Sequence, residues 1–488
     1  MAENPRPDAR EQENTHGGKP NGPADPVEER GAAKRNPTQG DTSRMQSRTG
    51  VQQALARVRQ AATRNKDMRF TALLRHVYNP DMLREAYSAL KRDASAGVDG
   101  ETWRSYGERL EDNLLDLSDR LKRRAYIPKA DGRLRPLGVI AVEDKLVQRA
   151  TTTVMNAIYE TDFLGFSYGF RPGRGQHNAL DALYVGLLTK KVNWVLDADI
   201  RGFFDAIARE WLMRFIERRI GDRRIRRLIL KWLKAGVLED GEVRYADTGT
   251  VQGGSISPLL ANIYLHYAFD LWVEQWRNRE AGGDVIVVRY ADDFVMGFQY
   301  KHEAEAFLSA LKERFAKFGL ELHPDKTRLI EFGPWARKNR ARSGEAKPEP
   351  FNFLGFTHIC GVKHGNGMFT VKRQTIRQRL TAKLSAVKAE LRRRMHAPIP
   401  RIDAWLRSVL AGHFRYYGVP TNMTSIFRFH HEVVRLWFRA LNRRSQKSRT
   451  TWERMYRLAD RFLPEARICH DYPLKRFGAI TQGKSRMR

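Results

Sequence analysis

Cysteine is nearly absent. The 488 residues contain two, Cys360 and Cys469, far apart in the chain. That excludes a disulfide framework and any Cys/Cys or Cys/His zinc spacing, and it fits a reducing cytoplasm. Long apolar runs are missing too. None approaches the ~18 residues needed to span a bilayer, so no membrane partner is expected. The start, M-A-E-N-P-R-P-D-A-R, lacks the apolar core of a signal peptide. Residues 1–50 contain no Leu, Ile, Phe, Tyr or Trp. Such a segment cannot bury enough surface to offset chain entropy, so it is expected to be disordered. Acid is the scarce charge: 56 Asp+Glu stand against 87 Lys+Arg, a formal net charge of +31. This balance excludes an acidic-surface protein and favours a polyanion partner, nucleic acid before a membrane surface. Residues 1–50 carry eight charges of each sign, so the excess belongs to the rest of the chain. Residues 371–488 alone hold 28 Lys+Arg against 7 Asp+Glu. No internal repeat is evident.

What is present centres on Asp284 to Tyr300, D-V-I-V-V-R-Y-A-D-D-F-V-M-G-F-Q-Y. Runs rich in β-branched and aromatic residues flank Ala291-Asp292-Asp293, which predicts a buried β-hairpin with two carboxylates at its tip. Adjacent acids between apolar strands repel each other and resist desolvation, and a divalent cation relieves both costs. An ordinary Asp-containing turn is the competing reading. A second stretch, W-V-L-D-A-D-I-R-G-F-F-D from Trp194 to Asp205, again runs an apolar strand into acids. If the two strands are neighbours in one sheet, Asp199 and Asp292 share two hard cations, and oxygen ligands with substrate phosphates suit Mg²⁺. Asp197 and Asp205 are weaker candidates, and Phe203 reads as core.

Along the chain, Asn79 with Pro80 predicts a helix start. Leu110–Ala125 and Asp144–Tyr159 read as amphipathic helices, Asn178–Leu188 and Glu303–Phe318 as further ones. Asp131-Gly132 signals a hairpin carrying Lys129 and Arg135. Ser167-Tyr168-Gly169-Phe170-Arg171-Pro172-Gly173-Arg174 is a loop whose interleaved Arg and aromatics suit a template backbone and a stacked base. Gln252-Gly253-Gly254 permits close backbone approach to a ligand at a helix start. Residues 333–349 read as a basic loop. From Val371 the apolar positions take helical spacing through three helices, and the tail 442–488 adds Arg443, Arg444 and Lys447 as nucleic-acid contacts.

Tyr290-Ala291-Asp292-Asp293, with Asp199-Ile200-Arg201-Gly202-Phe203-Phe204-Asp205 upstream and the AGVDG, SYGFRPGR and QGGSISP blocks in order, resembles bacterial group II intron reverse transcriptase/maturases from about Ala86 onward. One departure is visible: Val251 stands where that family usually has Pro before the Gln. The resemblance implies an α+β right-hand polymerase, with an antiparallel palm sheet and a helical thumb/maturase domain. Its parts would be 1–50 disordered, 51–125 helical extension and start of the fingers, 126–370 fingers and palm, 371–441 thumb and 442–488 basic tail. It implies that Asp199, Asp292 and the Ile200 carbonyl hold two Mg²⁺ (Mn²⁺ as a substitute), with Asp293 in support. Lys129, Arg135, Phe204, Gln252 and Gly253 would contact the incoming dNTP. Arg171, Arg174 and Lys326 would contact nucleic acid, and Phe353-Leu354-Gly355-Phe356 would be a primer-gripping strand. Expected partners are intron RNA, an RNA template with a DNA primer, and target DNA during intron mobility, in a bacterial cytoplasm with nucleoid association. The chain is expected to end before the metal-binding endonuclease domain many such proteins carry. The alternatives are a free-standing retron-, defence- or CRISPR-type enzyme, or a splicing factor with an idle polymerase site.

Overall fold

The computed structural model describes residues 39–94, 96, 99–122, 141–234, 237–239, 242–244, 254–363, 365–444 and 450–481. Lys129, Arg135, the Asp131-Gly132 turn, Gln252, Gly253 and Lys447 lie outside them. The chain divides into units 1–47 and 48–488. Within the first, helix begins at Gln39, inside the segment expected to be disordered, and the same helix continues to Arg64. A helix closes its hydrogen bonds locally, so a polar segment can adopt it without burying anything.

The central sheet has the order β4-β5-β1-β6, where β1 is Trp194–Ala198, β4 Val285–Tyr290, β5 Asp293–Phe298 and β6 Arg328–Glu331. Every neighbouring pair is antiparallel. The run Val285-Ile286-Val287-Val288 is apolar at every position because both faces of the sheet are covered. Strand side chains alternate, so Val285 and Val287 join one core with Met296 and Phe298, while Ile286 and Val288 join another with Val195 and Val295. Helix Lys301–Ala316 and the helical stretch from Ser257 to Arg279 cover the first face. There Phe269 packs on Phe294 at 4.6 Å between ring centroids, and Phe307 on Phe298 at 5.4 Å. Helix Gln176–Thr189 covers the second face through Ala179, Leu183 and Leu187.

The N-terminal helices pack on Val142–Tyr159, which buries Leu146, Ala150, Val154 and Ile158. Asn79 caps Pro80–Ser88 as expected, its side chain accepting from the N–H groups of Asp81 and Met82. A separate two-stranded ribbon, β2 (Val237–Glu239) and β3 (Glu242–Arg244), falls between β1 and β4 in the chain. A second sheet joins β7 (Phe351–Phe353), β8 (Phe356–Val362) and β9 (Phe369–Thr375). Here three expectations change. Phe353-Leu354-Gly355-Phe356 is not one strand: Phe353 pairs with Phe356 across a two-residue turn, with Leu354 at φ 45° and Gly355 at φ 84°. That positive-φ pair is the geometry of a tight hairpin, hidden in the sequence because Leu rarely adopts it. The loop 333–349 contains a helix, Ala336–Arg342. The strand β9 lies between Phe369 and Thr375, so the helical region begins at Arg377 rather than Val371.

That region holds four helices packed on one core, not three: Arg377–Arg393, Ile399–Tyr417, Met423–Asn442 and Trp452–Phe462. The fourth falls inside the stretch 442–488 that the sequence presents as a basic tail. Its Met455 and Ala459, with Leu463 after it, are buried among Leu406, Leu410 and Trp437. Trp452 stacks on Phe438 at 4.1 Å. A last helix, Pro473–Thr481, returns to Gln176–Thr189, where Arg476 Nε lies 3.2 Å from the buried Asp181. The basic residues masked this: i, i+3 and i+4 apolar positions are spaced among so many Arg that the segment reads as solvated.

Candidate active site

The hairpin β4–β5 turns through Ala291-Asp292. Tyr290 pairs with Asp293, and Ala291 takes φ 58°, a left-handed conformation unusual for a residue with a Cβ. On the other side of β5 lies β1, in the register Asp197↔Val295 and Ala198↔Phe294. One further step sets Asp199 opposite Asp293. The sheet therefore carries both acidic stretches to one end, as neighbouring strands. Alternation puts Asp197, Asp199 and Asp293 on the same face.

Electrostatics follow from this crowding. Burial first, then Asp197, Asp292 and Asp199, push the Asp293 carboxyl up to about 7, while Arg379 opposes them. Asp292 is raised by burial first and by Asp199 after it. Asp197 is pushed up to about 6 by burial, against the pull of Arg328, whose Nη2 is 3.5 Å from Asp197 Oδ2. Lys326 Nζ donates to Asp199 Oδ2 at 2.7 Å, and that bond raises the lysine. The resemblance puts Lys326 on nucleic acid; in the fold its charge meets the acidic cluster. Among the described residues no group of three or more His, Cys, Asp or Glu is arranged to hold a metal ion by itself.

Backbone past Asp199 is fixed by residues 321–323. His323 N–H donates to the Asp199 carbonyl at 2.8 Å and Arg201 N–H to the Glu321 carbonyl at 2.9 Å. Ile200 faces Leu322 between these two bonds. Alternation along an antiparallel pair turns the Ile200 carbonyl away from that strand, to the β5 side where the acids are. Gly202, at φ 52°, then starts the short helix Phe203–Ala206. Phe203 is buried and meets Phe204 edge-on, while Phe204 stays half-buried.

Sequence reasoning missed what holds the hairpin. Arg289, one residue before Tyr290, is wholly buried, and all five of its N–H groups are used. Nε donates to Asp270 Oδ1 at 2.7 Å, and Nη2 to Asp270 Oδ2 at 2.5 Å and Ser167 Oγ at 2.8 Å. Nη1 donates to Asn262 Oδ1 at 3.1 Å and to the Ala291 carbonyl at 2.8 Å. The last bond fixes the strained turn. Asp270 reaches inward because the helix takes one π-helical turn, His266–Asp270, which breaks the 3.6-residue periodicity. The available signal was the lone charge in V-V-R-Y, since an Arg in a fully buried strand needs a buried partner.

The loop 166–174 adds to the outer edge of β4. Arg289 N–H donates to the Phe166 carbonyl at 2.9 Å and Tyr168 N–H to the Arg289 carbonyl at 2.8 Å. A Cβ on Gly169 would stand 2.2 Å from Ala291 N, so glycine is required there. Arg171 and Arg174, the loop's two cations, both make internal contacts. Arg171 is buried, paired with Glu160 at 3.0 Å and bonded to the Leu164 and Ser167 carbonyls. Arg174 donates to the Gly165 carbonyl at 2.6 Å. Both tie the loop together, because its turn leaves carbonyls with no strand partner. Phe170, at φ 55° and 54% exposed, is the aromatic this loop offers to the surface, 6.1 Å from the Tyr290 ring. In the helical region Arg443 is exposed, while Arg444 donates to the Ala397 carbonyl at 2.8 Å. No helix among the described residues is long and apolar enough to cross a membrane.

Comparison with known proteins agrees with this geometry. The family described as reverse transcriptase (RNA-dependent DNA polymerase) matches residues 127–358. Protein YkfC of Escherichia coli (strain K12) is 33% identical over 341 residues, 59% of this chain and 88% of that one. The group II intron-encoded protein LtrA of Lactococcus lactis subsp. cremoris is 36% identical over 225 residues, 43% of this chain and 37% of LtrA. An uncharacterized 91 kDa protein in a cob intron of Schizosaccharomyces pombe is 37% identical over 214 residues, 44% of this chain and 26% of that one. The chain thus matches nearly the whole of YkfC but only about a third of LtrA. With the paired acidic strands in one antiparallel sheet, these matches make the chain a member of the reverse transcriptase family of RNA-dependent DNA polymerases, in the branch of the group II intron reverse transcriptase/maturases.

Proposed function

We propose that the protein extends a DNA primer along an RNA template and also binds a group II intron RNA, assisting its splicing and mobility. In this reading the sheet β4-β5-β1-β6 is the palm, the helices before it belong to the fingers, and the four helices from Arg377 are the thumb. The carrying observation is the meeting of Asp197, Asp199, Asp292 and Asp293 at one sheet end, where burial and mutual repulsion raise Asp292 and Asp293.

Asp199 and Asp292, with the Ile200 carbonyl and with Asp293 beside them, would hold two Mg²⁺, or Mn²⁺ in their place. The donors fit: they are hard oxygens in a desolvated, like-charged cluster. They form only part of a shell, which is how Mg²⁺ is usually held when substrate phosphates complete it. When bound, such ions activate a primer 3′-hydroxyl and neutralise charge on the transferred phosphoryl group. The chain's own contributions are positional. Arg289 fixes the turn that presents Asp292, Gly169 lets the loop close on that turn, and Phe204 forms a wall for the sugar of the incoming dNTP. Phe170 offers a face for a base. The excess of 28 Lys+Arg over 7 Asp+Glu in residues 371–488 supports contact with structured RNA beyond the primer-template.

Primer extension by Asp292→Ala tests the polymerase reading. DNA synthesis should disappear while RNA affinity and splicing assistance survive, since binding RNA needs no nucleotidyl transfer. Full extension by the folded variant would refute the metal-site assignment.

A further inference from the structure

A cavity of ≈ 210 Å³ opens between helices Arg377–Arg393 and Met423–Asn442, near their C-terminal ends. Its lining is ordered by helical spacing. Lys388 and Arg392 are four residues apart on one helix, and Arg439 is four from Arg443, the helical-conformation cap that ends the other. Each pair therefore stacks on one helix face, about 5–6 Å between Cβ atoms. Between the cationic rows runs an apolar floor: Leu436 and Ala440 four apart on one helix, Leu391 on the other and Met395 in the turn just past its end. All four cationic side chains are exposed. None of them forms an ion pair with a carboxylate among the described residues. Their neighbours do: Arg393 pairs with Glu390 at 2.7 Å, Arg394 with the same Glu390, and Arg435 with Glu432 at 2.9 Å. The acids on this surface are spent beside the groove, and its rim keeps its whole charge.

This groove is remote from the catalytic acids along its own helix. Arg379, at the N-terminal end, faces Asp293. Lys388 lies nine residues further on, roughly 13 Å at the helical rise, and the floor continues to Met395. We propose that the groove is a binding site for an unpaired nucleotide of a structured RNA, the base resting on the apolar floor and the flanking phosphates on the two cationic rows. Charge selects a polyanion. The floor selects among polyanions: a duplex turns only its backbone outward and would leave four apolar side chains covering nothing, whereas an unpaired nucleotide offers a flat apolar base between two phosphates. Met395 suits the role because its flexible, polarizable side chain adapts to purine and pyrimidine alike. An anionic membrane surface would meet the rim but could not fill the recess. The inference rests on the RNA-binding half of the proposed function and names the site and ligand class that would serve it.

The test uses the full-length protein, a short oligouridine and an RNA duplex of the same length, each titrated across a salt series. Arg392→Ala/Arg439→Ala removes two exposed charges that touch neither the helical core nor the acids. Its plot of log affinity against log salt for the oligouridine should be shallower by about 1.4, at roughly 0.7 per phosphate contact on a single strand. Ala440→Leu, which fills the floor and leaves the charge of the rim unchanged, should remove the preference for single strand over duplex. A 4-thiouridine photocrosslink should map to residues 388–395 or 436–443. Primer extension at low salt with saturating primer-template should stay at the parent level in both variants, and their melting curves should match the parent's. An unchanged slope and a crosslink elsewhere overturn the inference. An equal loss on the duplex overturns it too, in favour of a backbone track, and undiminished binding to oligouridine with lost binding to anionic vesicles assigns the groove to membrane. If the groove binds as stated but neither the parent nor the variants assist splicing of an intron RNA, the splicing reading fails and the groove stands.

Discussion

Replacing Arg289 by Met separates what the hairpin needs for stability from what it needs for activity. The guanidinium has five N–H donors, and all five are engaged inside a region where Arg289 and Asp270 are both 0% exposed. Met occupies much of the same volume but leaves the Asp270 carboxylate buried with no cation. Breaking one side of a buried pair costs about 3–5 kcal/mol. The double variant Arg289→Met/Asp270→Leu removes both charges, and such exchanges are often neutral or stabilising, so most of that loss should return. Activity should not return with it. The Ala291 carbonyl loses the donor that holds it at 2.8 Å, in a turn already at φ 58°. A hydrogen bond from a charged donor contributes about 1.5–3 kcal/mol, so a comparable loss in positioning Asp292 slows synthesis roughly 10- to 100-fold. The assays are urea unfolding and single-turnover primer extension on the three proteins. An unfolding midpoint unchanged in Arg289→Met would refute the energetic argument. Full activity in the double variant would show that Arg289 supports the fold but does not set the turn.

Three other outcomes follow from the same contacts. Gly169→Ala brings a Cβ within 2.2 Å of Ala291 N, backbone that cannot swing aside, so primer extension should fall at least tenfold with RNA affinity kept in a filter-binding assay. Asp181 is pushed up to about 6 by burial, which outweighs the pull of Arg476 and Arg373. Because the folded value is raised, the stability it contributes is fully present below about pH 4 and is lost as pH rises through about 6. Wild type should lose roughly 3 kcal/mol relative to Asp181→Asn over that window, read by urea unfolding at each pH, and a constant difference would sink the assignment. Truncation after Leu441 removes the buried Met455 and Leu463, roughly 3–6 kcal/mol of apolar burial, and the helix that returns to Gln176–Thr189, so cooperative unfolding of the helical region should be lost in calorimetry.

The sequence by itself picked out the acids of the candidate site. Acids at the ends of apolar strands are legible because the strand pattern is local and the charge conflict between Asp292 and Asp293 has few resolutions. Asp199, 93 residues upstream, could be paired with them once both stretches read as strands. Helices such as Val142–Tyr159 and Lys301–Ala316 announced themselves by periodicity and were found within two residues of their expected starts. Tertiary structure decided what depends on partners distant in the chain. It made Arg171 and Arg174 internal ties, because only the folded loop shows which carbonyls lack strand partners. It gave Lys326 to Asp199, and it joined Arg289 to Asp270 through a π-turn that no 3.6-residue pattern reveals. It folded the C-terminal segment into the helical core. Composition counts charges over a whole segment, whereas burial is decided by the few positions, here Met455, Ala459 and Leu463, that meet an apolar surface supplied by other helices.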